Sequence, residues 1–306
     1  MNYDERYQVA LKALKHPETA KDGALLMKEA GEAGDTRAMC DYGLLFITPG
    51  SPVMQNSEEA LRWFRMAAEH SDDRGQFLVG KAYYDGDVIK QDYNQATKWF
   101  TLSAEKGYAI AQYYLGHMYY HGNGVPRDLD EALRWFGLSV DRECNEARIA
   151  LGDILTDKDY EHTDFGKAYR LYRAAMRDGY PPGYFKVGMM YYEGMGIPQN
   201  HIEASKIFRA GNELGDNDCC FMLGKMYYYG YGVAKDEQYG KRYLAVAEKN
   251  GSEDATALLD TIDKSRKNQR DVTPSLIPVI HLKTPDLLYL EQSENRKHLF
   301  SFLRKH

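Results

Sequence analysis

Six glycines recur at a near-constant spacing, each inside a segment whose apolar residues repeat with helical periodicity. Steps of 37, 36, 36, 36 and 36 residues separate Gly43, Gly80, Gly116, Gly152, Gly188 and Gly224. A glycine within a helix costs about 1 kcal/mol relative to alanine, so six in one register require a compensating gain. The simplest gain is the close approach of a second helix, which a side chain would prevent. The spacing therefore predicts a repeated helical packing unit.

A second helix is predicted after each glycine, because a good N-cap residue recurs with the same spacing. These residues, whose side chains can accept amide hydrogens of a first turn, are Asn56, Asp92, Asp128, Asp164, Asn200 and Asp236. Four units also carry a capping-box residue three positions later, namely Glu59, Gln95, Glu131 and Glu203. Glycines that favour a left-handed end of the first helix follow at Gly86, Gly122, Gly194 and Gly230.

The second helices carry two further rows in register. A row of small residues, which would allow tight packing, comprises Ala60, Ala96, Ala132, Ala168, Ala204 and Gly240, and a row of large residues includes Trp63, Trp99, Trp135 and Tyr243. One such hairpin cannot bury its apolar face alone, whereas stacked hairpins can. We therefore predict an all-α fold, an α-solenoid of stacked helix hairpins.

The same register predicts the organisation of the chain. Residues 1–34 are expected to form a degenerate capping hairpin, and residues 35–251 to form six repeats of about 36 residues. A closing helix is predicted over residues 252–267, and a proline-containing tail over residues 268–306.

Composition narrows the classes of function. The formal charge of −6 argues against a nucleic-acid partner, which normally requires a strongly basic face. The first ten residues mix charges of both signs and lack the apolar stretch of a secretory signal. The sequence contains no run of about 20 apolar residues, so we predict no membrane span. The four cysteines form no CxxC pair, so we expect neither a zinc site nor disulfide bonds. We therefore expect the protein to reside in a reducing cytoplasm.

The pattern Ala-x-x-x-Leu-Gly-x-x-Tyr-x-x-Gly-x-Gly-Val, followed by Asp-x-x-x-Ala-x-x-Trp, is fullest in residues 111–135. It resembles the Sel1-like repeat, a relative of the tetratricopeptide repeat, over about residues 35–251. The resemblance implies a right-handed superhelix and a bacterial adaptor or scaffold without enzymatic activity. Some similar bacterial proteins neutralise secreted lipase toxins, so an immunity protein is an alternative. The chain departs from the pattern in the fourth unit, where Lys158 replaces the turn glycine, and it lacks the disulfides of cysteine-rich members.

Mapping the first helices onto the tetratricopeptide-like hairpin predicts a concave groove that binds a partner protein or peptide. Aromatic anchors are expected three residues before and four after the repeat glycine. They are Phe77, Tyr113, Phe185 and Phe221, with Tyr84, Tyr120, Tyr192 and Tyr228. Between these rows lie Lys81, His117, Asp153, Met189 and Lys225. The alternative interpretation is that these rings only pack between adjacent helices. Asp153, with Thr156 and Asp157, is interpreted as a polar notch for a basic side chain of the partner.

Other chemistry has little support in the sequence. The loops at Gly122–Gly124 and Gly194–Gly196 lack the Gly-Lys-Ser/Thr of a phosphate-binding loop. His117 and His121 have metal-ligand spacing on one helix face, but no HExxH motif is present. We therefore predict no catalytic residue, no cofactor and no metal, and a hydrolase with an unrecognised site is the alternative from another class.

The tail combines prolines at 274, 278 and 285 with an apolar stretch, Leu276 to Leu282. Repeated prolines exclude a regular helix in that stretch, and an exposed apolar tail would promote aggregation. We expect the tail to dock on the solenoid or on a partner. Contact of its basic end with a membrane surface is a further alternative.

Overall fold

A computed structural model describes residues 3–157 and 160–270 of the chain. Within these residues the regular secondary structure is entirely α-helical, and the helices form the α-solenoid that the repeat predicts. None of the described helices combines the length and the apolar character that a bilayer crossing requires. The predicted tail beyond Arg270 and the substitution at Lys158 lie outside the described residues.

The described helices follow one another with short connections. Their bounds are α1 (Tyr3–Ala13), α2 (Ala20–Glu32), α3 (Thr36–Leu45), α4 (Ser57–Glu69), α5 (Asp73–Asp85), α6 (Tyr93–Glu105), α7 (Ala109–His121), α8 (Leu129–Asp141), α9 (Asn145–Thr156), α10 (Phe165–Arg177), α11 (Pro181–Glu193), α12 (His201–Glu213), α13 (Asn217–Tyr229), α14 (Glu237–Lys249) and α15 (Glu253–Arg270). Odd-numbered helices from α3 to α13 are the first helices of the repeats, and even-numbered helices from α4 to α14 are the second.

The described residues divide into two compact units, the first ending at Leu151 and the second beginning at Gly152. In the first unit, the α1–α2 hairpin packs against α3 through a small core of Ala10, Met27, Ala30 and Ala38. A larger core continues from Met39 to Trp135. In the second unit, one core centres on Phe208 and Leu223. Another joins α13, α14 and α15.

Each repeat glycine lies close against the second helix of its own hairpin, as predicted, and the nearest side chain there is large, one position after the predicted row of large residues. A Cβ atom added to Gly116 would be 2.8 Å from Cδ1 of Phe136, closer than real carbon contacts allow. The same contact recurs with Phe64 at Gly43, Phe100 at Gly80, Phe208 at Gly188, Tyr172 at Gly152 and Leu244 at Gly224. The row of small residues is also buried, with Ala96, Ala132, Ala168 and Ala204 at 0% exposure. The glycine register is therefore a packing feature.

All six predicted N-caps are confirmed. In each, the side-chain oxygen accepts the amide hydrogen three residues later, as from Glu131 to Asp128 at 3.0 Å. The reciprocal half of the predicted capping box is wrong. The N-cap amide donates instead to a carbonyl near the end of the preceding helix, as from Asp128 to Tyr119 at 2.9 Å. Since that amide is already bonded, Glu131 is left to pair with Arg134.

The predicted left-handed helix ends are confirmed as well. Gly86, Gly122, Gly194 and Gly230 have φ angles of 75° to 81°. In this region glycine has no steric cost. The backbone then turns directly into the loop before the second helix.

Candidate protein-binding surface

The predicted anchors lie on the first helices of the repeats. In each of the two compact units, we call the surface that they form the first-helix surface. In the first unit Tyr84, Tyr113 and Tyr120 are half-buried, so part of each ring is open to contact. Phe77 is only 6% exposed and packs against Phe100, Tyr108 and Tyr114. The alternative interpretation, packing between helices, therefore holds for Phe77, which belongs to the core.

The middle residues of the first unit are engaged by neighbours on the same face. Lys81 forms an ion pair with Asp85, and its ammonium lies 5.7 Å from the ring centroid of Tyr114. The ring centroids of His117 and His121 are 4.2 Å apart. Nδ1 of His117 is buried and makes no hydrogen bond with any residue that the structure describes. Burial, and then the charge of His121, lower the pKa of His117. The neutral imidazole is thus favoured there.

The second unit presents a more apolar version of this surface. Met189, Tyr192 and Phe221 are half-buried and pack on the core around Phe208 and Leu223. The ammonium of Lys225 lies 5.6 Å from the ring centroid of Tyr192, which is cation–π distance. Two further predicted anchors, Phe185 and Tyr228, are also half-buried. The second unit therefore places aromatic rings, a methionine and a cation side by side.

The polar notch around Asp153 is built differently from its prediction. Oδ1 of Asp153 accepts a hydrogen bond from the hydroxyl of Tyr172 at 2.6 Å and pairs with Nζ of Lys186 at 2.7 Å. Thr156 donates to the carbonyl of Asp153 at 3.1 Å. Burial is the main cause that raises the pKa of Tyr172, with the charge of Asp153 second. The basic group of the notch thus comes from the chain itself, and a partner need not supply it.

An aromatic cluster at the loop end of the last two repeat hairpins joins the predicted anchor Tyr192 to residues that the sequence analysis did not select. Tyr192, His201, Tyr229 and Tyr231 form it, and we call it the terminal aromatic patch. The ring of Tyr231 lies 5.6 Å from those of His201 and Tyr229 and 6.3 Å from that of Tyr192. Tyr229 and Tyr231 are 42% and 40% exposed.

A signal for this patch was present in the repeat register. The position of Tyr229 is occupied in other hairpins by Asp85, His121 and Glu193, and that of Tyr231 by Asp87, Asn123 and Met195. Aromatic residues at those two positions are therefore particular to the last hairpin. A comparison of exposed positions, rather than of shared ones, would have found them.

Reactive or metal-binding groups are not assembled in the described part of the chain. No three His, Cys, Asp or Glu side chains gather there as metal ligands. All four cysteines are buried free thiols. Burial raises the pKa of Cys144 to about 11 and that of Cys220 to about 12, which keeps both protonated and weakly nucleophilic at neutral pH.

Comparison with known families follows the repeat register. The family model of the Sel1 repeat matches residues 36–72, 73–108, 109–143, 181–216 and 217–252, which together are more than half of the chain. The unmatched interval, residues 144–180, contains α9 and α10 with the Asp153 notch.

Solved structures with the same fold come from several bacteria. A protective antigen of uropathogenic Escherichia coli displaying an SLR fold is 29% identical, with a TM-score of 0.64, over 76% of this chain and 50% of that one. This chain thus spans about half the length of that protein. A Sel1 repeat protein from Oxalobacter formigenes is 27% identical, with a TM-score of 0.62, over 67% of this chain and 83% of that one.

An immunity protein from Pseudomonas aeruginosa is a weaker match. It is 17% identical, with a TM-score of 0.35, over 59% of this chain and 83% of that one, and this likeness does not bear on function. A comparison with curated protein sequences gives no match.

Proposed function

The chain belongs to the Sel1 repeat family, and from this we propose that it is a non-catalytic scaffold that binds a partner protein. The first-helix surfaces would make the contact. Sel1 repeats are typical of protein-interaction scaffolds, and protein is accordingly the partner class that the family favours. We propose a cytoplasmic adaptor, with no role for nucleic acid or a cofactor.

The observation that carries the proposal is the partial exposure of four tyrosine rings on the first helices. Tyr84, Tyr120, Tyr192 and Tyr228 stand in one register, and each is held by its own unit while part of its ring stays open. Partly ordered tyrosines lose little conformational entropy on binding and bury a large area, so they are favoured anchors in protein interfaces. A ring that served only the core would gain nothing from this partial exposure.

The charges beside these rings support a polypeptide ligand. Lys225 lies over Tyr192, and Lys81 pairs with Asp85 beside Tyr114. Such half-exposed charges add orientation and specificity to apolar anchors more than they add affinity. The second unit, with Met189 between its aromatic rows, offers the more adaptable contact because methionine fills irregular gaps.

Site-specific photo-crosslinking tests the proposal. A photoreactive phenylalanine analogue replaces Tyr120 in one variant and Tyr192 in another. Matched controls carry it at Lys98 and Arg173, which are exposed on second helices. We expect the variants at Tyr120 and Tyr192 to crosslink in the native cell to one and the same protein, identified by mass spectrometry. Equal adducts from the controls, or none from any position, would contradict the proposal. A secreted lipase as the adduct would specify a toxin-neutralising role.

Affinity measurements with the captured protein then test the anchors. Replacing Tyr120 and Tyr192 together by alanine should weaken binding by about 30-fold or more, which corresponds to about 2 kcal/mol. Tyr191→Ala is the matched control, since Tyr191 is also half-buried but contacts the second helix through Tyr169 at 3.2 Å. Unchanged affinity in the double variant would assign the rings to packing.

A further inference from the structure

We propose that the terminal aromatic patch is the docking site for a segment of the same chain, the proline-containing stretch from Pro274 to Pro285. The inference does not depend on partner binding. It rests on the arrangement and exposure of the rings in the patch, on the position at which α15 ends, and on the apolar, proline-containing composition of the segment.

Two rings of the patch, those of Tyr229 and Tyr231, stay partly open to solvent. Tyr192 is anchored in the core. The ring of His201 is oriented by its Nε2, which lies 3.1 Å from the backbone carbonyl oxygen of Tyr192. Tyr229 and Tyr231 stack on one another with an interplanar angle of 24° and keep about two fifths of their surface exposed. The result is a preorganised aromatic surface on which, among the described residues, Lys225 lies over Tyr192 while the rings of Tyr229 and Tyr231 stay partly exposed.

The last described helix leads the chain to the same end of the second unit. α14 begins at Glu237, directly after the loop that carries Tyr231, and α15 returns antiparallel to it. Nζ of Lys241 binds Oδ1 of Asp263 at 2.8 Å, so Asp263 lies level with the first turns of α14. α15 continues for seven residues to Arg270, about 10 Å at the rise of an α-helix. The chain therefore leaves α15 at the end that carries the patch.

The following segment is short enough to reach and apolar enough to bind. Pro274 lies four residue steps after Arg270, and an extended chain of that length spans up to about 14 Å. The stretch DVTPSLIPVIHLKTP, residues 271–285, contains three prolines, six aliphatic side chains and two charges. Proline rings stack on exposed aromatic faces, and a proline-rich segment loses little conformational entropy when it binds. Tethering to α15 also gives the segment a high effective concentration at the patch.

Intramolecular photo-crosslinking in the full-length chain tests this docking. A photoreactive phenylalanine analogue replaces Tyr231, which keeps an aromatic ring at the patch. The control carries the analogue at Asn123, the equivalent turn position of the third hairpin. After irradiation of dilute protein and digestion with trypsin, we expect the peptide around residue 231 to be joined to the peptide of residues 271–283. The crosslinked species should keep the mass of one chain. The control should give a yield at least about tenfold lower.

Two results would overturn the proposal. One is a crosslink to a second copy or to another protein in place of the segment. The other is an equal yield from the variants at Tyr231 and Asn123.

A substitution taken from the repeat itself gives a second measurement. Tyr231→Asn restores the residue that the third hairpin has at this position, so the fold should tolerate it. Loss of docking should raise the rate of tryptic cleavage after Lys283 in the full-length chain by about tenfold, because cleavage follows the population of the undocked segment. Tyr239→Phe, on the opposite side of α13 where Tyr239 packs on Tyr227, should leave the rate unchanged. An unaltered rate in Tyr231→Asn would contradict the docking.

Discussion

The third repeat hairpin, α7 with α8, and the fourth, α9 with α10, solve the same packing problem with different residues. In the third, Gly116 faces the apolar ring of Phe136. In the fourth, Gly152 faces Tyr172, whose hydroxyl is bonded to Asp153 and thereby to Lys186 of α11. His117 of the third hairpin has the position of Asp153 in the fourth. The comparison shows that the repeat accepts a polar side chain such as Asp153 when the residues that contact it, here Tyr172 and Lys186, supply hydrogen-bonding groups.

The first test of this comparison is overpacking at the glycine that both hairpins share in register. Gly116→Val should destabilise the protein by about 3 kcal/mol, because even a Cβ atom there meets the Phe136 ring. Urea unfolding measures the loss. Gly137→Ala is the control, since a Cβ at Gly137 meets nothing within 4 Å, and it should stabilise the helix by up to about 1 kcal/mol. A wild-type midpoint in Gly116→Val would show that the glycine is not needed for close packing.

Removing the carboxylate of the fourth hairpin tests whether its changes compensate one another. Asp153→Ala should cost about 2 kcal/mol, mainly because the buried hydroxyl of Tyr172 loses its acceptor. The ion pair with Lys186 adds little, since Asp153 is 43% exposed. Adding Tyr172→Phe to this variant removes the unpaired hydroxyl, gives the ring that Phe136 has in the third hairpin, and should recover about 1 kcal/mol. If the double variant were less stable than Asp153→Ala alone, the two residues would not be a compensating pair.

The N-caps of the two hairpins should contribute equally despite these differences. Asp128 accepts the amide of Glu131 at 3.0 Å, and Asp164 accepts that of Lys167 at 2.8 Å. Asp128→Ala and Asp164→Ala should each cost about 1 kcal/mol in thermal or urea unfolding. A much smaller effect at Asp164 would indicate that the fourth hairpin is held by its polar network alone.

The smallest expected effect is a pH dependence in the third hairpin. Burial lowers the pKa of His117 in the folded protein. As the pH is lowered, His117 therefore takes up its proton in the unfolded chain at a higher pH than in the folded protein. The stability present above about pH 6.5 is then lost as the pH falls from there through the folded pKa. The loss should stay below about 1 kcal/mol, because the ring is partly open to solvent. His117→Met, which copies Met189 of the fifth hairpin, should reduce the difference in unfolding free energy between about pH 7.5 and about pH 5.5. An unchanged difference would locate the dependence elsewhere.

Local sequence signals predicted the fold closely, and the reason is physical. N-cap side chains, left-handed glycines and the glycine against a large residue each act within one hairpin, so their positions can be counted along the chain. The predicted capping boxes were wrong because the N-cap amide of Asp128 had a competing acceptor, the carbonyl of Tyr119. That carbonyl is nine residues earlier, and only the closed hairpin brings the two groups together.

The candidate surface was predicted less completely, because exposure depends on neighbours outside the repeat pattern. Phe77 had the register of an anchor, yet the rings of Phe100, Tyr108 and Tyr114 bury it. Tyr192 was predicted as an anchor, but the rest of the terminal aromatic patch was missed because Tyr229 and Tyr231 occupy a helix end and a loop position that the repeat leaves variable. The partner contacts of the remaining anchors and the placement of the tail stay predictions.

The sequence by itself determined the all-α solenoid, the repeat register and the close helix contacts, because these follow from periodic residues that interact with near neighbours. Only the tertiary structure decided which side chains remain exposed for contact with a partner and which are paired within the chain. It gave Asp153 an internal cation, Lys186, from 33 positions along the chain. It also joined Tyr192 to Tyr231, 39 positions apart, in one exposed cluster. A contact between side chains that far apart depends on how successive hairpins stack, and no spacing within a single repeat specifies it.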